Sequence, residues 1–489
     1  MIPYRKGGRP KNPTEAVRGT GLQRLEYYDF IGLNNPLSGI SSTVVDGSLF
    51  LPWHGKINSF ERLAEPMTRP SSENSTHLAT QRPPMEYRRF GKTGEMISVL
   101  TLGGMRFKYG WTPPRTYLPK AAYQNCLETT RLALEVGINH IETAYGYVKS
   151  EHLYGKVLKE LGTPRTQFKM MTKGAPMTGD ETRALVEQQL EALQLDHIDF
   201  YGWHGLNNEE RFQAAVAPSG PVETLHRLRE EGLIGHIGFS THAPLHIIEK
   251  AIRTDLFSFV NLHYYYFFQR NQTAIELAKE KDLGILIISP NDKGGQLWNP
   301  SEKLKELTDP LTAIQYNGRF CLSHPQITTL TLGMHAPEHF DQNLAMLNSG
   351  DYFSQEDAKI KSTLDNAAHS ISGFCTYCSE CLPCPENINI PEVLRFRNLL
   401  EGYDMQTYGK YRYNMLGGKG HWFPGNFASA CTECGDCLPK CPEKLEIPKL
   451  LFETHDRLFD IKSYWSSQLE AFLVNGYKAI KSIFLKLTS

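Results

Sequence analysis

Eight of the ten cysteines lie in two tight groups whose spacing is typical of iron–sulfur ligands. The second group, from Cys431 to Cys441, has the C-x2-C-x2-C-x3-C-P pattern that ligates a [4Fe–4S] cluster. Two-residue gaps let one turning loop direct three thiolates at three irons of a cube, while the fourth thiolate serves another cluster. Zinc is the alternative, but a zinc ribbon pairs two C-x2-C knuckles from separate loops, and a third cysteine has no role there. We therefore expect iron.

The first group, from Cys375 to Cys384, repeats the second with one residue fewer in its last gap, which leaves the role of Cys384 open. The repeat predicts two 4Fe-4S clusters whose ligands cross between the groups. The assignment is Cys375, Cys378, Cys381 and Cys441 on one cluster, and Cys431, Cys434, Cys437 and Cys384 on the other. Because helix-like sequence separates the groups, they resemble the α-helical ferredoxin type more than the compact bacterial β-ferredoxin.

Composition excludes several classes of protein. A secreted disulfide protein would spread its cysteines through a short chain, so the grouping indicates metal ligation in a reducing cytoplasm. The 489 residues carry 52 Lys+Arg against 53 Asp+Glu, and nucleic-acid binding needs a clustered basic excess. No apolar run approaches the ~20 residues that span a bilayer, so we expect no transmembrane segment. The basic N-terminus lacks a following apolar stretch, so we expect no secretory signal.

Eight short β-rich runs alternate with helix-like stretches after a predicted hairpin that begins near Met85. This alternation implies parallel pairing, and eight units in about 250 residues predict a (β/α)8 TIM barrel. An open doubly wound sheet would place a glycine-rich phosphate turn after its first strand, and Gly103-Gly104-Met105-Arg106 does not fit that pattern. The eight runs are Val99–Leu102, Ile138–Thr143, Phe168–Thr172, Ile198–Trp203, Ile234–Phe239, Phe257–Leu262, Gly284–Ile288 and Ile327–Leu332.

Four polar side chains follow consecutive strands of this predicted barrel. Glu142 ends the second run, Lys173 follows the third, His204 follows the fourth, and Tyr147 lies in the loop after Glu142. Catalytic groups of such barrels lie at the carboxyl ends of the strands, where the ends converge. One isolated Lys or His would more often be structural, but four such groups at adjacent strand ends favour a catalytic site.

Several segments from Met85 to about Leu347 resemble the aldo/keto reductase family. They follow in family order as EYRRFGKTGEMISVLTLGG, GINHIETAYGYVKSEHLYGKVL, TKG, IDFYGWHG, IGHIGFST, ISPNDKGG and QNL. With the cysteine groups, the whole chain resembles the branch of that family fused to a C-terminal ferredoxin-like domain. Residues 1–84 have no recognised counterpart.

The resemblance implies nicotinamide-dependent reduction of a small carbonyl, or the reverse oxidation of an alcohol. Tyr147 would donate the proton, Lys173 would lower the pKa of that tyrosine, His204 would orient the carbonyl, and Glu142 would hold Lys173. The family's usual Asp is Glu142 here, and the glycine that follows its tyrosine is Val148. Tyr145 is a rival for the tyrosine role.

The cofactor implied by the resemblance is NADP(H), with NAD left open. The loop after the eighth run lacks the basic residues that often hold a 2′-phosphate, and Ile288 stands where an aromatic residue often stacks on nicotinamide. Weaker candidates for binding the cofactor are Ser240, Asn261, Ser289, Lys293 and Asn343.

The domain organisation follows from these changes in character. We expect a low-order extension over 1–84, with one short helix near Leu22–Phe30, a barrel over 85–350 and an α-helical ferredoxin-like domain over 351–489. The amphipathic stretch Ser463–Leu487 is expected to dock onto the protein's own body, with an anionic membrane surface as the alternative.

Three functions compete at this point. The first is a cytoplasmic oxidoreductase acting on a small-molecule carbonyl or alcohol. The second is an electron-transfer protein whose clusters serve a protein partner and whose barrel is a redox sensor or docking module. The third is structural, with clusters that only fasten the C-terminal segment to the barrel. Hydride carries two electrons and a cubane normally one, and the chain has no dedicated flavin signature, so direct coupling is not predicted.

Overall fold

Eight parallel strands close into a barrel in the computed structural model, which describes residues 83–107, 114–292, 295–347, 351–416, 420–462 and 464. The first and last barrel strands pair through Thr101 and Thr331, which completes the ring. The predicted (β/α)8 barrel is therefore confirmed. The predicted extension over 1–84 lies almost entirely outside the described residues, as does the amphipathic stretch near the C-terminus.

The barrel strands are short, nearly continuous apolar runs because both of their faces are buried. Pairing between neighbours continues through Lys173, opposite Gly202, and through His204, opposite Ser240. These two residues were expected just after their strands, and they are instead among the last residues within them. After a hairpin of β1 (Tyr87–Arg89) and β2 (Met96–Ser98), the barrel strands are β3 (Leu100–Gly103), β4 (His140–Glu142), β5 (Lys169–Gly174), β6 (Ile198–His204), β7 (Ile234–Ser240), β8 (Phe259–Leu262), β9 (Gly284–Ile287) and β10 (Thr329–Leu332).

Amphipathic helices cover the outside of the barrel. In α3, for example, the Thr178 side chain caps the first turn by accepting a hydrogen bond from the Glu181 N–H, and Gln194 ends the helix with a left-handed φ of 55°. The helices around the barrel are α1 (Lys120–Glu135), α2 (Ser150–Glu160), α3 (Gly179–Leu193), α4 (Glu209–Val216), α5 (Pro221–Glu230), α6 (Leu245–Ile252), α7 (Gln272–Glu280), α8 (Glu302–Thr308), α9 (Ala313–Leu322) and α10 (Pro337–Leu344).

The hairpin closes the amino end of the barrel with apolar side chains. Phe90 enters the barrel and contacts Phe200 and Phe259, with ring centroids 5.0 and 5.4 Å apart. A Cβ on Gly284 would lie 2.3 Å from the Phe90 ring, so this strand needs glycine where the ring enters. Since apolar rings fill this end, it leaves no room for substrate, and polar chemistry belongs at the opposite end.

The described residues after 350 form four α-helices and no β-strand, as the sequence predicted. They are α11 (Gln355–His369), α12 (Ile390–Tyr403), α13 (Gln406–Tyr413) and α14 (Ile447–Leu458). Pro391 and Pro448 stand in the first turns of α12 and α14, where a missing N–H costs no hydrogen bond. Among the described residues, none of the helices has the length and apolar content needed to span a bilayer.

A buried group of charges fixes the C-terminal helices to the barrel. Arg395 of α12 lies 3.7 Å from Asp292, in the loop after β9, and also pairs with Glu392 at 3.1 Å. The hydroxyls of Tyr265 and Tyr408 donate to Asp292 at 2.9 and 2.7 Å. Burial alone would raise the pKa of Glu392, but the neighbouring guanidinium groups lower it to about 2. The ionised groups therefore hold the two regions in one orientation.

Candidate active site and cysteine sites

The four predicted catalytic side chains meet at the carboxyl end of the barrel. Glu142 and Lys173 are both buried and form an ion pair, and the Lys173 ammonium also donates to the Thr143 carbonyl at 2.8 Å. The Tyr147 hydroxyl donates to Glu142 Oε1 at 3.4 Å, and its ring centroid lies 5.0 Å from Lys173 Nζ. The His204 ring lies 6.1 Å from the Tyr147 ring, edge to face.

Strand register explains how these side chains converge. Glu142 pairs with Met171, and Lys173 stands two residues further along β5, so both residues project into the barrel. Lys173 pairs in turn with Gly202, where a Cβ would lie 3.0 Å from Lys173 Cγ. The absence of a side chain at Gly202 leaves the space that the lysine stem occupies. His204 follows two residues later on the same inward face.

The electrostatics of the pair depend on both partners. Burial lowers the pKa of the Lys173 ammonium well below its ordinary value, because a charged group loses its hydration. The Glu142 carboxylate opposes this effect, since an adjacent negative charge favours the ammonium form. The Glu142 carboxylate is thus the group that keeps the buried Lys173 side chain in its charged form. Glu142 forms this ion pair with Lys173 although its side chain is one methylene longer than that of the aspartate usual in the family.

The loop that carries Tyr147 separates it from its rival. The Arg115 guanidinium covers the Tyr145 ring at 3.7 Å and forms an ion pair with Glu151 at 2.6 Å. Val148 has φ 49° and ψ −79°, a positive-φ backbone conformation that is strained for a β-branched residue. A positive φ is less costly for glycine than for valine, so Val148 holds this turn at the expense of strain.

The candidates for cofactor binding fall into two places. Ser240 pairs with His204 on one side and with Asn261 on the other, so all three lie at one level of the barrel. Ser289 follows β9 with φ 49°, whereas Asn343 lies on α10. Lys293 is outside the described residues.

Two of these side chains have unused acceptors. The amide oxygens of Asn261 and Asn343 are buried without a hydrogen-bond partner in the described part of the chain. Buried polar atoms are usually paired, so orphaned acceptors fit a ligand that donates hydrogen bonds. This observation is compatible with the carboxamide and hydroxyl donors of a nicotinamide dinucleotide.

The two cysteine groups line two neighbouring recesses of about 310 and 350 Å³, open space included. The first recess is lined by Cys375, Cys378, Cys381 and Cys441, and the second by Cys381, Cys384, Cys431, Cys434 and Cys437. The cysteine that ends each loop therefore faces the recess of the other loop. Leu394, Leu445 and Ile447 complete the first recess with apolar surface.

The two cysteine loops have matching backbones. Two positions after their first cysteines, Tyr377 and Glu433 both have left-handed φ angles, of 62° and 55°. Four positions after the same first cysteines, Ser379 and Gly435 have φ angles of 67° and 82°. Left-handed residues among turns direct successive N–H groups to one side, which suits an anionic centre. The conformation is repeated although the last gap of the first group is shorter.

The donor set fits iron–sulfur clusters better than zinc. Burial raises the pKa of Cys375 to about 11 and of Cys381 to about 12, so thiolates at these positions require a neighbouring cation. A zinc site would need four donors about 2.0–2.3 Å from one ion. Cysteines set around a wider recess suit a cube of irons.

Sequence reasoning missed one aromatic residue at the barrel mouth. Trp422 belongs to the C-terminal region, yet its ring lies 5.4 Å from that of His204 and 5.0 Å from that of His242. It also missed the contact between Arg395 and Asp292. No spacing pattern could have indicated either contact, because the partners are remote in sequence and carry no motif.

Two family models match the chain in separate regions. The model described as "Aldo/keto reductase family" matches residues 99–297, and the model described as "4Fe-4S dicluster domain" matches residues 374–445. The first match spans the strands that carry Glu142, Lys173 and His204, and the second spans all eight grouped cysteines.

Curated relatives match part of the chain. An L-galactose dehydrogenase from Arabidopsis thaliana is 26% identical over 290 residues, which cover 53% of this chain and 88% of that protein. An aldo-keto reductase from Bacillus subtilis is 31% identical over 188 residues, which cover 34% of this chain and 53% of that protein. Among solved structures, an aldo-keto reductase from Bacillus halodurans is 20% identical with a TM-score of 0.47, covering 57% of this chain and 96% of that one. The chain is therefore an oxidoreductase that joins an aldo/keto reductase domain to a C-terminal 4Fe-4S dicluster domain.

Proposed function

We propose that this chain reduces a small carbonyl compound, or oxidises the corresponding alcohol, with NADP(H) or NAD(H) as the hydride carrier. The observation that carries this proposal is the buried Glu142–Lys173 ion pair beneath Tyr147 at the barrel mouth. An ion pair at this depth is costly to desolvate, and perturbed charges of this kind concentrate at functional sites. We assign Ser240, Asn261, Ser289, Lys293 and Asn343 to the cofactor side of the site.

The four polar residues would share the work of proton transfer. When bound, the nicotinamide supplies hydride to the carbonyl carbon. The Tyr147 hydroxyl then gives its proton to the carbonyl oxygen as negative charge develops there. The Lys173 ammonium stabilises the resulting phenolate, Glu142 keeps that ammonium charged, and His204 orients the carbonyl oxygen by a hydrogen bond.

We further propose two [4Fe–4S] clusters, one held by Cys375, Cys378, Cys381 and Cys441 and the other by Cys431, Cys434, Cys437 and Cys384. The matching backbones of the two loops support an equivalent role for Cys384 despite the shorter gap. We place the domain boundaries near residues 85 and 350.

A second candidate function is the transfer of single electrons to a protein partner. It is favoured by the exposure of Cys378 and Cys434, which brings an edge of each proposed cluster to the surface. Anaerobic mixing with NADPH, followed by EPR, separates the two functions. Prompt cluster reduction would support electron exchange with nicotinamide, whereas turnover of aldehydes with silent clusters would support the reductase alone.

Tyr147→Phe tests the reductase directly. Removing the proton donor should lower kcat by about 10²–10⁴-fold, the usual contribution of a positioned acid. The measurement is NADPH oxidation by the reconstituted protein with a panel of aldehydes. Tyr145→Phe is the matched control and should stay near wild type. Equal turnover by wild type and Tyr147→Phe would refute the proposed chemistry.

Glu142→Gln tests the electrostatic part of the proposal. Without the carboxylate, burial alone governs Lys173, so the pKa of its ammonium falls further. The ammonium then loses its proton at a lower pH, and the basic limb of the kcat/KM profile should move to lower pH by about one to two units. A profile that merely scales down, with its basic limb in place, would argue against this role.

A further inference from the structure

We propose that Trp422, which the iron–sulfur domain contributes, is a positioning residue of the barrel site and forms the wall against which the substrate lies beside His204. The reductase site would then be composite, and incomplete without the C-terminal domain. This inference rests on the proposed function, because it assigns a role beside the carbonyl-orienting imidazole.

The first support is a continuous row of aromatic contacts. The rings of Tyr147 and His204 meet edge to face at 87°, and those of His204 and Trp422 meet at 71°, with centroids 6.1 and 5.4 Å apart. Trp422 is only 6% exposed. Edge-to-face pairs of this kind are favourable beyond their buried area and restrict ring orientation. Trp422 thus limits how the His204 ring can turn.

The second support is a barrel surface shaped to receive the indole. Gly205 follows His204 with φ 78°, and a Cβ there would lie 2.9 Å from Trp422 Cη2. The ring of His242 packs against the indole on another side, 5.0 Å away. From the barrel itself, Arg211 donates hydrogen bonds to the carbonyls of Gly205 and His204 at 2.5 and 3.0 Å. The end of β6 is therefore held by its own domain and by Trp422 together.

The third support is a hydrogen bond that fastens the turn carrying Trp422. Asn207 Oδ1 accepts from the His242 N–H at 2.8 Å, which directs the Asn207 amide NH₂ toward His421 Nδ1 at 2.9 Å. His421 therefore accepts at Nδ1 as a neutral imidazole. The residue before Trp422 is thus anchored to the loop that follows the strand of His204, independently of the indole.

The expected consequence concerns both efficiency and size selectivity. Removing the indole frees one side of His204, so a small carbonyl is oriented less well. It also opens space beside the imidazole, so a bulkier carbonyl compound is penalised less. For Trp422→Ala, kcat/KM for the smallest aldehydes should fall about three- to tenfold, and the ratio of bulky to small substrates should rise. Trp422→Phe should recover most of the wild-type behaviour.

The experiment uses the full chain, reconstituted anaerobically, with NADPH and straight-chain and aromatic aldehydes of increasing size. Phe423→Leu is the matched control, because Phe423 lies on the same turn and packs on Arg412 at 4.4 Å. Iron content is measured for every variant. The inference requires a changed selectivity ratio in Trp422→Ala, with partial rescue in Trp422→Phe and none of this in Phe423→Leu.

Two outcomes would overturn it. If Trp422→Ala keeps the wild-type ratio, or if Phe423→Leu changes the ratio equally, the indole has no specific role at the site. Should Trp422→Ala lose iron, Trp422→Leu decides the same question, because leucine keeps apolar bulk in the turn but removes the ring contacts with His204 and His242; its ratio of bulky to small substrates must then exceed that of wild type. Failure of this inference differs from failure of the reductase proposal. If only this inference fails, Tyr147→Phe still lowers kcat strongly; if the reductase proposal fails, Tyr147→Phe has no effect on turnover.

Discussion

The barrel site and the cysteine sites position their functional groups by different means. In the barrel, Glu142, Lys173 and His204 stand on adjacent strands, and backbone pairing fixes their separation. In the C-terminal domain, the cysteines lie on turns that contain left-handed residues such as Tyr377 and Glu433, and they line two neighbouring recesses. One site depends on sheet register, and the other depends on loops that converge from two segments of the chain.

This difference predicts a different dependence on ligand. The barrel strands are hydrogen-bonded whether or not a cofactor is present, so the arrangement of the catalytic side chains should persist without one. Buried cysteines such as Cys375 and Cys381 favour protonated thiols in the absence of a cation, and the proposed crossed ligand sets would join the two loops through metal. We therefore expect the C-terminal domain, rather than the barrel, to respond to loss of iron.

The largest expected effect breaks the crossed cysteine sets. If Cys375 and Cys441 share a cluster, the double variant Cys375→Ala/Cys441→Ala should lose one cluster and retain about four irons per chain. The matched variant Cys434→Ala/Cys441→Ala should lose both clusters. Iron and sulfide assays under anaerobic conditions measure the difference.

The reverse pattern of iron contents would refute the crossing and assign each group to its own cluster. Far-UV circular dichroism of the same variants reports on the barrel. The strand contribution to the spectrum should match that of wild type, while the helical contribution should decrease because the C-terminal helices lose structure. Equal loss of structure in both regions would show that the barrel depends on iron as much as the C-terminal domain does.

The next effect concerns the charged contact that joins the two regions. Arg395→Met removes a 3% exposed cation and leaves the buried Asp292 carboxylate without its nearest arginine. Breaking a buried ion pair from one side typically lowers stability by about 3–5 kcal/mol. The measurement is the urea midpoint of the holoprotein. Arg457→Met is the control, since Arg457 pairs with Glu401 at the surface, where ion pairs contribute little. Equal midpoints for the two variants would refute the role of Arg395.

The sequence predicted what local pattern can encode. Apolar runs with regular spacing indicated the eight strands, and the confirmed barrel follows from them. Cysteine spacing indicated the dicluster domain that the family model matches. Contacts such as Trp422 with His204 arise only when two domains pack, so no window of sequence contains them. Val148 marks another limit: the absence of glycine was visible in the sequence, but the positive φ of Val148 was not.

The smallest effect is a pH dependence at the junction between the two regions. Burial, with a lesser contribution from Arg211, lowers the pKa of His421 to about 4 from an ordinary value near 6.5. Protonation would place an N–H at Nδ1 against the Asn207 amide donor, so the docked turn requires the neutral ring. Here the docked turn is the segment that carries His421 and Trp422 when it packs against the barrel. Between pH 4 and pH 6.5, the undocked turn binds more protons than the docked turn, because only in the undocked turn does His421 keep its ordinary pKa. The stabilisation is therefore complete above pH 6.5 and is lost as pH falls through about 4.

Comparison of wild type with His421→Gln isolates this titration, because glutamine offers an acceptor that does not take up a proton in this range. The urea midpoint of wild type should fall more steeply than that of His421→Gln between pH 7 and pH 5, where the ring begins to protonate in the undocked state. Parallel curves for the two proteins would show that His421 does not couple the turn to pH, while leaving the anchoring of Trp422 by Gly205 and His242 intact.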